Sequence, residues 1–336
     1  MTKVTVLGSG GWGTAIALLL ASKGTYVKLW SFLEEETKEL IACRENKRYL
    51  PGIKIPENVE FLSNMEKAVK DTEIIVSAVP SKGVSSTSAA LAKHINVKKQ
   101  ILVSVSKGLD ADTHKRLSEI IKENIPGVRL AILSGPSHAE EVARKMATTN
   151  VVAADEKKVA EKIQDLFMCD FFRVYISDDM AGVEYGGALK NVIALSAGIA
   201  DGLGLGDNAK AALMTRGMTE IARLGVKMGA KTETFFGLSG MGDLIVTCTS
   251  MHSRNRRAGV LIGQGKTTDE AIKEVKMVVE GVPAALAGYK LAKKANVDMP
   301  ITTEVYKILF ENKPVKDAVR RLMTRQKKHE TEDTLI

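Results

Sequence analysis

The feature that most constrains this chain is a glycine-rich turn close to its start. A short apolar run over residues 4–7 stops at the segment 8–13, Gly-Ser-Gly-Gly-Trp-Gly, and a helix-forming segment follows over 14–21. Gly8, Gly10 and Gly13 therefore form a G-x-G-x-x-G pattern between a predicted strand and a predicted helix. The first glycine permits a sharp turn, the second lets a pyrophosphate approach the backbone, and the third lets the helix lie against the sheet. Because helix N-termini attract phosphate, the stretch predicts a dinucleotide site, with a plain tight turn as the alternative.

Strand and helix patterns alternate over the first half of the chain, as is typical of a doubly wound α/β sheet. Apolar runs predict strands at 4–7, 26–30, 73–79, 100–105, 129–133, 150–153 and 171–174, with a helix over 34–43 and a loop over 46–56. From about residue 177 the strand patterns disappear, and helical periodicity continues to residue 325. Helices are predicted over 178–200, 208–228, 254–262, 268–275, 283–295, 301–310 and 315–323, the first capped by Ser177 or Asp178. We expect a dinucleotide-binding domain over 1–177, an all-helical substrate domain over 178–325 and a charged tail over 326–336.

Composition restricts the classes of partner. The net charge of +8, from 48 Lys and Arg against 40 Asp and Glu, suits an anionic substrate and cofactor as well as it suits nucleic acid. Aromatic residues make up only 5% of the chain and are not interleaved with basic ones, so we expect no nucleic-acid binding. No apolar run reaches the roughly 18 residues of a membrane helix and no leader precedes the first strand, so we expect a cytoplasmic protein without membrane insertion. Three dispersed cysteines and five dispersed histidines predict neither a disulfide framework nor a metal site.

The residues after the second predicted strand bear on the choice between NAD and NADP. In the NAD-selective version of this fold, an acidic residue at the end of that strand binds the ribose hydroxyls. Here the strand is followed by Ser-Phe-Leu at 31–33, and the first acid is Glu34. The arginine expected beside a 2′-phosphate is also absent, unless Arg44, Lys47 or Arg48 supplies the charge from the next loop. The sequence therefore leaves the cofactor open between NAD and NADP.

Loops after the strands are the first places to look for chemistry, because ligands of doubly wound folds lie at the carboxyl ends of the strands. Lys107 follows one predicted strand in Ser-Lys-Gly-Leu, and the sequence Gly135-Pro136-Ser137 follows another. Both are placed to meet the nicotinamide end of a cofactor or a substrate beside it. The alternatives are a solvated loop lysine and a simple turn.

Lys190 is the most unusual side chain of the helical half. It lies among small and apolar residues, directly after Gly186-Gly187-Ala188-Leu189. A lysine in such a helix is buried, snorkels, or faces a cavity. Desolvation or a neighbouring cation such as Lys107 lowers the pKa of a buried lysine, which makes it a usable proton acceptor near neutral pH. The alternative is a lysine at a helix edge.

Two further groups in the second half carry charge. Asp243 follows the glycines 237, 240 and 242 and could orient Lys190, bind a substrate hydroxyl, or only cap a helix. The sequence 253–257, Ser-Arg-Asn-Arg-Arg, stands at a predicted helix start, where arginine and Ser/Asn donors form a phosphate-binding combination. The alternative for this segment is an exposed basic helix face. His138 follows a turn and could line the cleft, although we interpret it as a surface histidine.

Segments in this order resemble those of a known family. They are GSGGWGTA at 8–15, SKGL at 106–109, SGPSHAEE at 134–141, GGALKNVIA at 186–194, GLSGMGDLIVTCTS at 237–250, SRNRR at 253–257 and VVEG at 278–281. Together they resemble the bacterial-type NAD(P)-dependent glycerol-3-phosphate dehydrogenases over residues 3 to about 325. The resemblance implies an N-terminal Rossmann-type doubly wound sheet domain followed by an all-α C-terminal domain, as in the 6-phosphogluconate-dehydrogenase-like fold.

The resemblance also implies an activity and a set of site residues. The activity is reversible hydride transfer between NADH or NADPH and dihydroxyacetone phosphate, supplying glycerol 3-phosphate for phospholipid synthesis, with no metal and with a possible homodimer. The catalytic residues implied are Lys190 as proton donor and acceptor, Lys107 and Asp243. Cofactor positions are Gly8, Gly10, Gly11, Trp12, Gly13, Phe32, Tyr49, Lys107, Ala139, Arg254, Val278 and Glu280. Substrate positions are Lys107, Gly135, Ser137, Lys190, Asn191, Asp243, Thr247, Ser253, Arg254 and Asn255.

The chain departs from the family pattern at one place, since many relatives have Arg or His where this chain has Ser31-Phe32. This departure weakens the expectation of a preference for NADPH. Two alternative functions also remain at this stage. A 3-hydroxyacid or ketopantoate-type reductase would need a carboxylate clamp in place of the phosphate site. A nucleotide-sensing regulator would bind cofactor without turnover.

Overall fold

A computed structural model describes residues 2–327 and 329–330 of the chain. Within these residues, eight strands form one sheet. The strands are β1 (Lys3–Leu7), β2 (Tyr26–Trp30), β3 (Val59–Leu62), β4 (Ile74–Ser77), β5 (Ile101–Ser104), β6 (Arg129–Ser134), β7 (Thr148–Ala154) and β8 (Phe172–Ser177). Of the predicted tail, residues 328 and 331–336 lie outside the described residues.

The sheet has the order β3-β2-β1-β4-β5-β6-β7-β8. The first six strands run parallel, β7 runs antiparallel to β6, and β8 runs parallel to β7. The prediction of a doubly wound sheet is thereby confirmed. The carboxyl ends of β1, β2, β4, β5 and β6 share one edge of the sheet, which is the edge where ligands of this fold bind.

Every residue of β4 and β5 is buried, as expected for central parallel strands that helices cover on both faces. Two features of the sheet were not predicted. The short β3 was missed because its four residues alternate between buried and partly buried positions and contain a charged residue. The reversed direction of β7 was missed because periodicity carries no information on strand direction.

Helices join the strands, and further helices follow β8. They are α1 (Gly11–Ser22), α2 (Glu34–Cys43), α3 (Met65–Val69), α4 (Val84–Leu91), α5 (Leu117–Asn124), α6 (Ala139–Ala143), α7 (Lys157–Phe167), α8 (Met180–Gly202), α9 (Gly206–Lys227), α10 (Asp243–Thr249), α11 (Arg254–Gly263), α12 (Thr268–Val275), α13 (Gly281–Ala295), α14 (Pro300–Phe310) and α15 (Val315–Met323). The predicted helices of the second half are found within two residues of their predicted ends. The helix α10 was not predicted.

The chain divides into two compact units. The first unit joins Met1–Ser106 to Leu117–Met180 and contains the sheet. The second unit joins the short segment Lys107–Arg116 to the chain from Ala181 onward, and its described part is helical. The segment after β5 therefore packs with the helices, which the order of the residues along the chain does not reveal.

The second unit is built around α8, which is buried from residue 182 to residue 200. A helix that is buried on all sides needs neighbours on all sides. Glycines permit the closest approach: a Cβ at Gly198 would lie 2.1 Å from the carbonyl oxygen of Arg256 on α11, and one at Gly259 would lie 2.1 Å from that of Leu195. The backbones of α8 and α11 are thus in contact, and both helices carry candidate site residues.

None of the helices in the described residues is long and apolar enough to cross a membrane. No group of three or more His, Cys, Asp or Glu side chains in that part of the chain is arranged to hold a metal ion.

Candidate active site

The glycine turn between β1 and α1 has the geometry that its pattern requires. Gly8 has a φ of +108°, a left-handed value that residues with a side chain rarely adopt. A Cβ at Gly13 would lie 1.9 Å from the carbonyl oxygen of Gly8, so only glycine lets α1 approach the turn this closely. A Cβ at Gly10 would meet no atom within 4 Å, so the backbone before α1 is open. The residues present therefore fit a pyrophosphate at the N-terminus of α1.

Other segments of the first unit lie around this turn. The side-chain amide of Asn46 donates a hydrogen bond to the backbone carbonyl of Ser9, with an N···O distance of 2.7 Å, and so fixes the loop after α2. A Cβ at Gly11 would lie 3.6 Å from the Cβ of Tyr49 and 3.7 Å from that of Ala139. Three residues that the resemblance assigns to the cofactor therefore lie together beside the turn.

The end of β2 carries an acid that sequence reasoning missed. Ser31 is buried there, and its hydroxyl donates to Oε2 of Glu36 over 2.8 Å, because the first turn of α2 brings this glutamate back to the strand end. Phe32, an expected cofactor residue, is 80% exposed. Arg44 donates to three carbonyl groups of the following loop and β3, whereas Arg48 lies 3.7 Å from the other oxygen of Glu36. The sequence places no acid directly after the strand, and Glu36 reaches the strand end only through the folded first turn of α2.

The loop after β6 holds two expected substrate residues. Gly135 has a φ of +139°, and a Cβ there would lie 2.8 Å from Oδ1 of Asn150 on β7. The hydroxyl of Ser137 donates to the carbonyl of Gly135 over 2.9 Å and accepts from the amide of Asn150 at 3.3 Å. Oδ1 of Asn150 is buried and has no hydrogen-bond partner among the described residues. Close packing against Asn150 therefore requires a glycine at position 135. Oδ1 of Asn150 remains available beside it as a hydrogen-bond acceptor.

A cluster of four polar side chains lies within the second unit, and we call it the lysine–aspartate cluster. The ammonium of Lys190 donates to Oδ1 of Asp243 and to the hydroxyl of Thr247, both over 2.6 Å. The ammonium of Lys107 donates to the other oxygen of Asp243 over 2.7 Å. Asp243 is 2% exposed, Lys190 6% and Lys107 19%. The two lysines therefore share one buried carboxylate, and Lys107 is the more exposed of the two.

Local sequence explains how Asp243 reaches Lys190. The segment Leu238–Gly242 forms one π-helical turn, and α10 begins at Asp243 directly after it. This turn contacts α8 at Gly186, where a Cβ would lie 2.8 Å from the carbonyl of Ser239. Lys190 lies one helical turn after Gly186, on the same face of α8. The glycine thus permits the contact that brings the carboxylate to the lysine, and the interpretation of Asp243 as a helix cap is wrong.

The electrostatics of the cluster follow from burial and from an excess of positive charge. Burial lowers the pKa of Lys190 to about 8, the charge of Lys107 acts in the same direction, and Asp243 opposes both. Burial alone would raise the pKa of Asp243, but the two ammonium groups outweigh it and hold that pKa below its ordinary value. The nearby thiol of Cys248 has its pKa raised to about 12 by burial and stays protonated. Two cations against one anion suit a site in which negative charge develops.

Beside the cluster, two asparagines connect three helices. The amide of Asn255 on α11 donates to Oδ1 of Asn191 on α8 over 2.9 Å, and the backbone N–H of Gly281 donates to Oδ1 of Asn255 over 2.8 Å. Ser253 caps α11, because its hydroxyl accepts from the N–H of Arg256 at 3.2 Å. These bonds orient the asparagine side chains and fix the start of α11 relative to α8 and α13.

The structure thus brings together part of the predicted set within each unit. Gly8, Gly10, Gly11, Gly13, Tyr49 and Ala139 meet in the first unit, while Lys107, Lys190, Asp243 and Thr247 meet in the second, as do Asn191, Ser253 and Asn255. Arg254 is the first residue of α11 and is half-buried, and Val278 and Glu280 lie, partly buried, just before α13. Trp12 has a buried indole N–H with no hydrogen-bond partner among the described residues. The roles of all these residues stay predictions.

Comparison with known proteins identifies similar chains. The family model described as NAD-dependent glycerol-3-phosphate dehydrogenase N-terminus matches residues 3–160, and the C-terminus model of the same family matches residues 179–320. The NAD(P)+ glycerol-3-phosphate dehydrogenase of Fusobacterium nucleatum subsp. nucleatum is 55% identical over 332 residues, which are 98% of this chain and 99% of that one.

Solved structures give the same result. The crystal structure of glycerol-3-phosphate dehydrogenase from Coxiella burnetii matches with a TM-score of 0.94 and 37% identity, over 96% of this chain and 99% of that one. The glycerol-3-phosphate dehydrogenase of Saccharomyces cerevisiae matches with a TM-score of 0.82 and 32% identity, over 95% and 98% of the two chains.

Proposed function

The chain belongs to the family of NAD-dependent glycerol-3-phosphate dehydrogenases, and we propose that the lysine–aspartate cluster is its catalytic group. The chain is an NAD(P)-dependent oxidoreductase that acts on the CH–OH group of glycerol 3-phosphate. The observation that supports our assignment of the site is Lys190, a buried lysine with a pKa of about 8 that bonds to Asp243. Such a group can both donate and accept a proton near neutral pH.

The glycine turn and the N-terminus of α1 would hold the pyrophosphate of the cofactor. When bound, NADH or NADPH would supply the hydride, and NAD or NADP would accept it. Gly10 leaves the backbone open there, and Gly8 and Gly13 permit the turn. Gly11, Tyr49 and Ala139 would line the same ligand. Trp12, Phe32, Lys107, Arg254, Val278 and Glu280 are proposed as further cofactor contacts.

We assign the proton transfer to Lys190. In the direction of reduction, its ammonium donates a proton to the oxygen on C2 of dihydroxyacetone phosphate as that oxygen becomes an alkoxide. In the direction of oxidation, the neutral amine accepts the proton of the C2 hydroxyl. Lys107 adds a second positive charge close to the developing alkoxide, and charge placed in advance where an anion forms is a large contribution to catalysis. Asp243 holds both lysines in position through its two oxygens.

The phosphate of the substrate is assigned to the start of α11. Ser253 caps this helix, and Arg254 and Asn255 follow in its first turn. Free N–H groups and an arginine at a helix N-terminus favour a phosphate dianion. Gly135, Ser137, Asn191 and Thr247 complete the proposed substrate set. A cytoplasmic location and a possible homodimer are likewise proposed.

The experiment that tests this function compares phosphorylated with unphosphorylated substrates. Oxidation of NADH and of NADPH is followed at 340 nm with dihydroxyacetone phosphate, dihydroxyacetone or ketopantoate. We expect turnover with the phosphate ester only. Arg254→Gln should raise the KM for dihydroxyacetone phosphate about 10- to 100-fold, because it removes a charge-assisted contact worth roughly 1.5–3 kcal/mol.

The control is Arg320→Gln, which removes the same charge from an exposed position on α15 and should change KM less than twofold. Turnover of ketopantoate in place of the phosphate ester would contradict the proposal in favour of a hydroxyacid reductase. Cofactor binding without any turnover would contradict it in favour of a regulator.

A further inference from the structure

Glu36 forms a hydrogen-bonded chain with the glycine turn that the mechanism does not use. The hydroxyls of Ser9 and Ser31 are 2.7 Å apart, and Oε2 of Glu36 lies 2.8 Å from Ser31 and 3.2 Å from Ser9. Ser9 stands between Gly8 and Gly10, and Ser31 directly follows β2. Both serines are at least 95% buried. The carboxylate is therefore fixed to the glycine turn and to the end of the second strand at once.

The direction of these hydrogen bonds follows from the acceptor at the end of the chain. An ionised carboxylate only accepts, so the single proton of Ser31 points to Glu36. Ser31 then accepts the proton of Ser9. Oε2 is satisfied by this chain, whereas Oε1 lies 3.7 Å from a guanidinium nitrogen of Arg48, whose side chain is 66% exposed. One oxygen of Glu36 thus anchors the side chain, and the other faces the exposed guanidinium of Arg48.

We propose that Glu36 is the residue by which this chain selects NAD over NADP, through its charge at the ribose 2′ position. This inference rests on the proposed use of a dinucleotide at the glycine turn. In doubly wound dinucleotide folds an acid at the end of the second strand hydrogen-bonds the ribose 2′-hydroxyl. Glu36 occupies that place in space although it is six residues past the last residue of β2.

The same carboxylate would repel a 2′-phosphate, which carries between one and two negative charges at neutral pH. Of the three cations that the sequence offers to offset this repulsion, two are already engaged. Arg44 is bound to carbonyl groups of Ile55, Pro56 and Val59, so its guanidinium is committed to its own loop. Arg48 is paired with Glu36 itself and leaves no excess of positive charge at the strand end.

The test is direct binding of NADH and NADPH without substrate, measured by isothermal titration calorimetry on the full chain. The wild-type chain should bind NADH at least 10-fold more tightly than NADPH. Glu36→Gln keeps an oxygen acceptor for Ser31 and removes the charge. It should reduce the ratio of the two dissociation constants about 10-fold, mainly by tightening NADPH, as removal of a like charge a few ångströms away predicts.

The matched control is Glu35→Gln, which removes an equal charge one residue away from an exposed side chain. It should leave the ratio within twofold, which separates a local contact from a change in net charge. Arg48→Gln provides a second variant and should move the ratio the other way, because it removes the only cation paired with Glu36 in the described chain.

A wild-type chain that binds NADPH more tightly than NADH would overturn the proposal. An unchanged ratio in Glu36→Gln, with an unchanged melting temperature, would also overturn it, as would an Arg48→Gln variant that favours NADPH if Glu36→Gln fails to fold. Failure of the wild-type chain to bind either nucleotide would instead contradict the proposed function. The two failures are therefore distinguishable.

Discussion

The glycine turn of the first unit is built from backbone atoms, whereas the lysine–aspartate cluster of the second unit is built from charged side chains. In the turn, Gly8 and Gly13 contribute by having no side chain, and their effect is to let two segments of backbone approach within contact distance. In the cluster, Lys190 and Asp243 contribute charge in a place where water is excluded. A backbone site depends on shape, and a charge site depends on what surrounds each ion.

A second buried acid shows how far the surroundings matter. Glu220, on α9, is 2% exposed and accepts from the N–H groups of Ile301 and Thr302 at the start of α14. Burial raises the pKa of Glu220 to about 7, although the hydrogen bonds from Ile301 and Thr302 and the charge of Arg223 act in the opposite direction. Asp243 is as deeply buried, but its two partners are cations and its pKa is lowered. Burial alone therefore does not decide the charge of an acid in this unit.

Lys190→Ala should give the largest difference between the lysine–aspartate cluster and the glycine turn, because it should impair catalysis and spare cofactor binding. Loss of the proton donor should lower kcat about 10³-fold, equivalent to ~4 kcal/mol of transition-state stabilisation. NADH binding by the glycine turn should stay within threefold of the wild type. Stopped-flow or steady-state kinetics and calorimetry on the same preparation measure both quantities.

Lys313→Ala is the control for this change, because Lys313 is also a partly buried lysine paired with an acid, Glu304, in the same unit. It should leave kcat within twofold of the wild type. A Lys190→Ala enzyme with near wild-type kcat would show that the cluster is structural and would remove the contrast between the regions.

The glycine turn should be sensitive to the addition of a single methyl group. Gly13→Ala places a methyl group within 1.9 Å of a carbonyl oxygen and should lower the free energy of unfolding by about 1–3 kcal/mol. In Gly10→Ala the added methyl group would contact no atom within 4 Å, and Gly10 already has an ordinary extended backbone. The free energy of unfolding should therefore stay the same or rise by about 0.4–1 kcal/mol. The same methyl would fill the space proposed for the pyrophosphate and should weaken NADH binding about 10-fold or more.

Urea denaturation and calorimetry test this pair of variants. Equal losses of stability in both would mean that the turn is a purely structural feature. Normal NADH binding by Gly10→Ala would place the pyrophosphate elsewhere.

The contrast also explains how much the sequence could predict. The glycine turn was predictable because its residues are contiguous and each has a steric reason that the letters alone reveal. Lys190 was predictable because a lysine in an otherwise apolar helix needs a partner. The helices of the second unit were predictable from periodicity, and two of them, α12 (268–275) and α15 (315–323), have the predicted bounds, as does α2 (34–43) in the first unit.

What could not be predicted depends on contacts between distant segments. The pairing of Lys107 and Lys190 with one carboxylate requires three stretches that are 83 or 53 residues apart in the chain, from 107 to 190 and from 190 to 243. The place of Lys107–Arg116 in the helical unit is of the same kind. Glu36 was missed because the turn that returns it to the end of β2 is a property of the folded chain. The sequence alone offered no chemical reason to place Thr247 in the site. Its hydroxyl accepts a hydrogen bond from Lys190, which supplies that reason.

The most direct test of the central claim is the pH dependence of kcat/KM in both directions, for the wild type and for Asp243→Asn. Because the pKa of Lys190 is about 8, oxidation of glycerol 3-phosphate needs the neutral amine and should rise as pH increases through about 8. Reduction of dihydroxyacetone phosphate needs the ammonium and should fall over the same range.

Asp243 favours the charged form of Lys190, so Asp243→Asn should move both midpoints to lower pH by about one unit, or ~1.4 kcal/mol. We expect the two kcat/KM profiles to have opposite slopes, to cross near pH 8 and to shift together in Asp243→Asn. Profiles that are flat between pH 7 and 9, or midpoints that stay fixed or move to higher pH in Asp243→Asn, would contradict the assignment of proton transfer to Lys190.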